Sequence, residues 1–334
     1  MSSMKDVAKL AGVSISTVSR VINQNIPVDE QTTLKVQEAI RKLNFKPNLL
    51  AQGLRIRSGR LIGLVVPDFV PLHAFVDIIK YTEESAAQHN FNLILGNHHD
   101  NPDIEERFID SLIRRSVDGI IFSRVSDESR VLKILHHRKI PIVVIDRALE
   151  DESVPSVIVN NSRAGELVAE HLASLGHKQI VCITGPMNIS LCRERVKGFT
   201  QVLRTHNIEF DERHIFEGDF KLETGIKAMS VLLQNHPKIT GVWAQNDVMA
   251  AGAMKELHHR GMKVPEDFSV IGMDDISLAS MITPALTTIR QPFKAMSETA
   301  IELILLQKRG QHIPNTKVVL EPELIIRETT AVAK

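Results

Sequence analysis

The sequence predicts an α/β protein: a small N-terminal helix-turn-helix head-piece, then a body of two doubly wound lobes built on parallel sheets. Three observations predict it. Apolar residues recur at helical spacing through residues 4–44. From residue 61, continuous apolar runs of strand length alternate with helical stretches, the pattern of parallel strands covered on both faces. These runs fall into two series, which favours two lobes over one large sheet. Ligands of such sheets bind beyond the C-terminal ends of the strands, so two facing lobes make a cleft there.

The head reads as three short helices, with apolar positions Val7, Leu10 and Ala11, then Val18, Val21 and Ile22, then Val36, Ala39, Ile40 and Leu43. The segment DVAKLAGVSISTVSRVIN, residues 6–23, carries the strongest signal. Ala8, Gly12 and Val18 have helix-turn-helix spacing: a small Ala lets two helices approach, and Gly12 suits the tight turn. Ser14 caps the second helix. That helix is expected to expose Ile15, Ser16, Thr17, Ser19, Arg20 and Asn23, side chains suited to base edges or phosphates. Asp29 is the expected N-cap of the third helix, and Pro47 ends it, since the residue before a proline avoids helix. Residues 48–60, NLLAQGLRIRSGR, form a short basic linker.

In the body the first series of strands is LIGLVV at 61–66, FNLILG at 91–96, GIIF at 119–122 and PIVVID at 141–146. The second is SVIV at 156–159, QIVCITG at 179–185, GVWAQ at 241–245 and FSVIGMD at 268–274. Helical segments lie between them, among them 102–115, 162–175, 191–206 and 247–260.

The 334 residues are 43% hydrophobic and 24% charged, ordinary for a globular protein. No apolar run approaches the ~20 residues needed to span a bilayer, and the first residues have no signal-peptide core, so a cytoplasmic protein with no membrane partner is expected. Cys182 and Cys192 are too few for a disulfide framework and read as buried or spectator thiols. The net charge is zero, but its distribution is uneven. Residues 1–60 carry ten Lys and Arg against four acids, and the rest of the chain carries the balancing negative charge. A basic head on an acidic body is expected when one domain alone touches phosphate. The adjacent pairs His98-His99, His136-His137 and His258-His259 diverge by about 100° on a helix, do not converge on one metal and read as solvated. G-x-S-x-G, the P-loop and a G-x-G-x-x-G after a strand are all missing, so no enzyme and no cofactor is expected.

DVAKLAGVSISTVSRVIN and FKPNLLAQGLR resemble the head-piece and hinge of the LacI/GalR family of bacterial regulators. PIVVIDR at 141–147, RERVKGF at 193–199, AQNDVMAAGAM at 244–254, VPEDFSVIGMDD at 264–275 and PALTTIRQP at 284–292 resemble its body motifs, in the family's order. The resemblance implies a homodimeric repressor on double-stranded operator DNA, whose body is built like a periplasmic sugar-binding protein. It divides the chain into a head 1–46, a hinge 47–60 and a body 61–334, with lobe one about 61–160 and 292–320 and lobe two about 161–291 and 321–334. A small effector (a sugar, sugar acid or sugar phosphate) binds between the lobes, and a protein corepressor is a further partner the family allows.

Carried over by position, Ile15 and Ser16 read bases and Arg20 reaches the groove. Ser14, Thr17, Ser19 and Asn23 belong to the same DNA-binding set, Thr17 and Ser19 by phosphate contact or helix packing. Asn48 and Leu54 complete it from the hinge, where Leu54 matches a leucine that wedges into the minor groove and bends the duplex. Two helical turns are marginal alone, so a hinge disordered off DNA and helical on it is expected. In the body Arg195 matches the family's effector-forking arginine, the alternative being a salt bridge to a nearby acid. Asp274 accepts hydroxyl protons, while Asp275, taken as extended, points the other way. Asn246 bonds the effector or its own helix N-terminus. Phe75 and Phe220 stack on the effector or pack in the core, and Arg147 faces the cleft. PLHAF at 71–75 and Asn160-Asn161 depart from the family's commoner patterns. Arg124, Arg147, Arg193 and Arg195 near the cleft lean slightly toward an anionic effector.

Two rival classes remain. A transport sugar-binding module has no use for residues 4–60. An enzyme of doubly wound fold needs a nucleophile with a base, or a cofactor loop.

Overall fold

The computed structural model describes residues 3–23, 26–45, 59–67, 74–99, 101–123, 131–147, 149, 153–313 and 315–334. They fall into two units, residues 1–59 and 60–334.

Among its described residues the first unit holds three helices, α1 Met4–Ala11, α2 Ile15–Asn23 and α3 Glu30–Lys42. Each boundary has a local cause. Gly12 takes the left-handed conformation (φ 67°) that closes α1, its N–H donating to the Ala8 carbonyl. Ser14 Oγ accepts from the Thr17 N–H at 3.1 Å, and Asp29 accepts from the Thr32 N–H at 2.9 Å. Val7, Ala8, Val18, Val36, Ala39 and Phe45 form the core. Leu10, expected inward, is 52% exposed.

The second unit contains two six-stranded sheets. The first has the order β11-β5-β4-β3-β1-β2, from β1 Leu61–Val66, β2 Asn92–Asn97, β3 Gly119–Phe122, β4 Ile142–Ile145, β5 Ser156–Val159 and β11 Lys317–Leu320. The second has the order β12-β10-β9-β8-β6-β7, from β6 Ile180–Thr184, β7 Ile215–Glu217, β8 Gly241–Ala244, β9 Ser269–Asp274, β10 Thr287–Arg290 and β12 Glu323–Ile325. All pairings are parallel except that of β12 with β10. The central strands are buried throughout, which is why they read as continuous apolar runs.

Helices cover both faces of each sheet. On the first sheet, α4 Phe75–Gln88 and α12 Phe293–Lys308 share one core, and α5 Pro102–Arg114 and α6 Val131–His137 the other. On the second, α7 Asn161–Ser174 and α8 Ser190–Thr205 lie on one face, α9 Leu222–Asn235 and α10 Asp247–His259 on the other. The short α11 spans Ser277–Met281. No helix among the described residues is long and apolar enough to cross a membrane.

Four strands beyond the expected eight are present: β7, β10, β11 and β12. Three are sheet edges, where a half-exposed strand needs no apolar run. The fourth, β10, is interior but begins with two threonines. Both are fully buried because their polar atoms have partners: the Thr288 hydroxyl donates to Asp247 Oδ1 at 2.5 Å, and the Thr287 N–H donates to Thr329 Oγ1 at 2.8 Å. His98, read as solvated, is buried at the C-terminal exit of β2, whereas His99 and the other two pairs are exposed.

The crossing of α7 and α8 fixes the position of Arg195. Gly165 on α7 lies so close to α8 that a Cβ there collides with the Arg195 carbonyl and the Phe199 nitrogen. Gly165→Val is therefore expected to cost about 1–3 kcal/mol in urea denaturation, as overpacking does. An unchanged midpoint would mean that the two helices part freely.

Candidate functional site

In the head, α2 presents one polar and one apolar flank. Ser14, Ile15, Ser16 and Arg20 are exposed, Ile15 at 49%. Thr17 is half-buried, its hydroxyl 2.8 Å from Ser14 Oγ. Ser19 is 7% exposed, next to Val18 and on the flank that also carries Ile22, which favours helix packing over phosphate contact for its side chain. Asn23 is the last residue of α2. Asn48, Leu54 and hinge residues 47–58 lie outside the described residues, as do Arg124 and positions 71–73. Lys5, Lys9, Arg20, Lys35, Arg41 and Lys42 are all exposed, so the basic excess of the head lies on its surface.

In the second unit the six effector candidates come together. Phe75, Arg147, Arg195, Phe220, Asn246 and Asp274 all line one cavity of about 330 Å³. The first sheet's side contributes Phe75, Asp146 and Arg147, and the second's contributes Arg195, Phe220, Asn246 and Asp274. Asp146 follows β4, Gln245 and Asn246 follow β8, Asp274 ends β9 and Gln291 follows β10. The cavity therefore lies at the C-terminal ends of the strands, where loops rather than sheet bonds govern side-chain direction.

Arg195 is 3% exposed on α8. Its Nε donates to Asn161 Oδ1 at 2.8 Å and its Nη1 to the Gln245 carbonyl at 3.2 Å. Gln245 is held in turn, donating to the Cys192 carbonyl at 3.2 Å and accepting from the Gly185 N–H at 3.3 Å. The guanidinium plane is thus set by neutral oxygens rather than by the salt bridge weighed as the alternative, while Asp146 and Asp274 lie close enough to feel its charge. Asn160 caps α7, accepting from the Arg163 N–H at 3.1 Å, and its neighbour Asn161 positions Arg195.

Asn246 caps α10 by accepting from the Met249 N–H at 2.8 Å, and its amide donates to the Phe220 carbonyl at 2.9 Å. One residue thereby starts the helix and ties down the backbone of Phe220. Phe75 and Phe220 each border a core as well as the cavity, so the packing and stacking readings coexist. Asp274 Oδ1 accepts from Gln291 Nε2 at 2.6 Å. Burial pushes the Asp274 carboxyl up to about 7 despite the opposing charge of Arg195 and the Gln291 bond. Burial also raises Asp146, against the pull of Arg147 and Arg195. Gln291 Oε1 is buried with no partner among the described residues, an acceptor on a cavity-lining side chain.

Asp275 diverges from Asp274, as expected, but for a different reason. The pair is not extended: Asp274 has φ 108° and Asp275 φ 58°. Asp275 turns outward onto Arg290 Nε at 2.7 Å and Arg327 Nη2 at 2.5 Å. Sequence reasoning missed Asp146, Asn161, Gln245 and Gln291. Asp146 and Gln291 stand inside motifs already singled out, PIVVIDR and PALTTIRQP. Gln245 also stands inside a singled-out motif, AQNDVMAAGAM, and Asn161 in the noted Asn160-Asn161 pair, but each acts through Arg195, which no local pattern shows. The thiols of Cys182 and Cys192 are buried, and burial raises both.

Comparison with known proteins agrees with this architecture. Residues 3–48 match the model for bacterial regulatory proteins of the lacI family, and residues 60–321 match that for periplasmic binding proteins and the sugar binding domain of the LacI family. The chain belongs to the LacI family. It is 36% identical over 330 residues to the HTH-type transcriptional repressor CytR of Escherichia coli K12, covering 98% of this chain and 96% of that one. Among solved structures it is similar to the lac repressor dimer bound to operator and the anti-inducer ONPF (30% identity, TM-score 0.85, 99% of each chain). It is also similar to a LacI family regulator from Enterococcus faecium with bound ribose (31% identity, TM-score 0.72, 82% of this chain and 100% of that one). As a LacI-family member the chain is a DNA-binding repressor controlled by a small-molecule effector.

The cavity carries side chains of both charges. Of the four arginines weighed, Arg147 and Arg195 line the cavity. Arg193 is exposed and donates to the Met187 carbonyl at 2.7 Å, and Arg124 lies outside the described residues. Asp146, Asp219 and Asp274 line the same cavity as Arg147, Arg195 and Lys221. Acids and bases are equal in number there, although burial raises Asp146 and Asp274 toward the neutral form.

Proposed function

We propose that the effector is an uncharged, polyhydroxylated ring, a sugar or sugar derivative, held in the cavity by Arg195, Arg147 and Asn246 as donors, by Asp274, Asp146 and Gln291 as acceptors, and between Phe75 and Phe220. The observation that carries this reading is the mixture of groups in one small space. Donor-only arginines, acceptor-only aspartates and an unpartnered amide oxygen are satisfied together by hydroxyl groups, which both donate and accept. The two phenyl rings suit the apolar face of such a ring. The bound ribose of the Enterococcus faecium regulator supports this chemistry. Calorimetric titration with D-ribose and cellobiose, each beside its sugar acid, tests it. Heat from a neutral sugar supports the reading; heat from the acids alone overturns it.

The protein acts in the cytoplasm as a homodimer, and residues 1–60 carry DNA recognition. Ile15, Ser16 and Arg20 read base edges, Ser14, Thr17 and Asn23 contact the backbone, and Asn48 and Leu54 act from the hinge. Two heads related by a dyad read a near-palindrome. Selection of binding sites from random DNA is expected to return an inverted repeat, and affinity for it should fall linearly on a log–log plot against salt as counterions are released. A site without dyad symmetry counts against the dimer.

A further inference from the structure

Asp274 and Asp275 are consecutive non-glycine residues in the left-handed region, a conformation L side chains rarely adopt and that persists only where the surroundings impose it. Three elements impose it here. The Ile276 N–H donates to Asp247 Oδ2 at 2.9 Å, which anchors the turn to the start of α10. From β10, Arg290 Nε reaches Asp275 Oδ2, but Arg290 is 48% exposed and water competes for it. From the C-terminal segment, Arg327 Nη2 reaches Asp275 Oδ1, with the two side chains only 19% and 7% exposed.

Arg327 is itself fixed. Its Nη1 donates to the Leu286 carbonyl at 2.7 Å and its N–H to Thr287 Oγ1 at 3.0 Å. Beyond it the chain runs back along β9: the Val270 N–H donates to the Thr329 carbonyl at 2.8 Å, the Thr329 hydroxyl donates to the Val270 carbonyl at 2.7 Å, and the Ala331 N–H donates to Ser269 Oγ at 3.0 Å.

We propose that Asp275 and Arg327 are positioning residues for the effector site: the desolvated pair twists the turn so that Asp274 points into the cavity against Gln291, which makes the C-terminal strap part of the effector-binding machinery. The inference rests on the reading of Asp274 as an effector anchor. Without the clamp the turn relaxes to ordinary backbone, and the Asp274 carboxylate leaves the cavity. The strap lines no part of the cavity among the described residues, so it acts only through Asp275.

Crystal structures of full-length Arg327→Met and Asp275→Asn test the proposal without any effector. The expected result is loss of the 2.6 Å Gln291–Asp274 bond and return of Asp274 to negative φ, with β9 unmoved. Carboxyl NMR of Asp274, assigned by difference from Asp274→Asn, should show its titration midpoint move from about 7 toward the ordinary value by about one unit or more. Arg327→Lys, which keeps the charge, should restore part of both. A strap with a merely structural role lowers the melting temperature but leaves the Asp274 geometry and midpoint unchanged; that result overturns the proposal. If Arg327→Met does not fold, Asp275→Asn, which keeps the side-chain shape, decides in the same way. Failure of Asp274→Asn to change sugar binding instead overturns the anchor reading and leaves the clamp measurement intact.

Discussion

Replacing Arg195 by alanine is expected to abolish effector binding while leaving operator affinity in the absence of effector largely intact. The guanidinium is nearly fully buried, and its plane is set by Asn161 and the Gln245 carbonyl. Its removal takes away the cavity's best-ordered donor and leaves Asp146 and Asp274 without the charge that opposes their burial. Truncating a buried charged hydrogen-bond donor at a binding site costs on the order of 2–5 kcal/mol, roughly thirty-fold to a few thousand-fold in affinity. Arg195→Lys should not rescue it, because an ammonium cannot serve Asn161, Gln245 and a ligand in one plane. Calorimetry reads the first effect and gel shift on the selected operator reads the second. A normal response to effector in Arg195→Ala would place the pocket elsewhere.

The second large effect concerns Asp274, where binding and stability should move in opposite directions. Its folded value of about 7 lies above the ordinary 3.8, so the folded state holds the proton more tightly than the unfolded chain. Its contribution to stability is therefore fully present below about pH 4 and is lost as the pH rises through about 7. Asp274→Asn keeps the shape, never ionises and escapes that loss. The variant should match the wild type near pH 4 and gain on it up to neutral pH, by on the order of 2–4 kcal/mol in urea denaturation. Asp146, raised by burial in the same cavity, adds a loss of the same sign to both proteins. Effector binding moves the other way. The carboxylate accepts hydroxyl protons and the amide accepts more weakly, so the stabler variant should bind sugar at least about tenfold less well. In the wild type, affinity should rise with pH through about 7, a dependence the variant lacks. A variant less stable than the wild type at pH 8 would show that Asp274 is not held against an ionisation cost.

Much of this molecule was legible in the chain. Parallel strands buried on both faces must be apolar along their whole length, so eight of the twelve strands found stood out as runs bounded by polar segments. The helix-turn-helix was legible for the opposite reason: its turn and caps depend on single residues, Gly12, Ser14 and Asp29, whose local chemistry acts within three or four positions. The cavity candidates fell at strand ends, and strand ends are where a doubly wound sheet places its site.

What the chain did not disclose depends on contacts across long separations. Ser16 and Ser19 are three positions apart on α2, yet Ser16 is exposed and Ser19 is 7% exposed, a difference decided by the packing of the assembled head. Thr287 and Thr288 stand in an interior strand that no apolar run announced, because Asp247 and Thr329, distant in sequence, satisfy them. The four arginines stood out in the chain, but the acids that line the cavity with two of them arrive from other segments, and Arg193 is exposed. Asn161, Gln245, Asp275 and Arg327 act through another side chain, so their meaning exists only once Arg195 and Asp274 have been placed. Local periodicity and capping determine which segments are helix and strand, since those energies are set by near neighbours. Which polar groups face one another across the cavity is decided by the tertiary structure, because burial and hydrogen-bond satisfaction are properties of the assembled lobes.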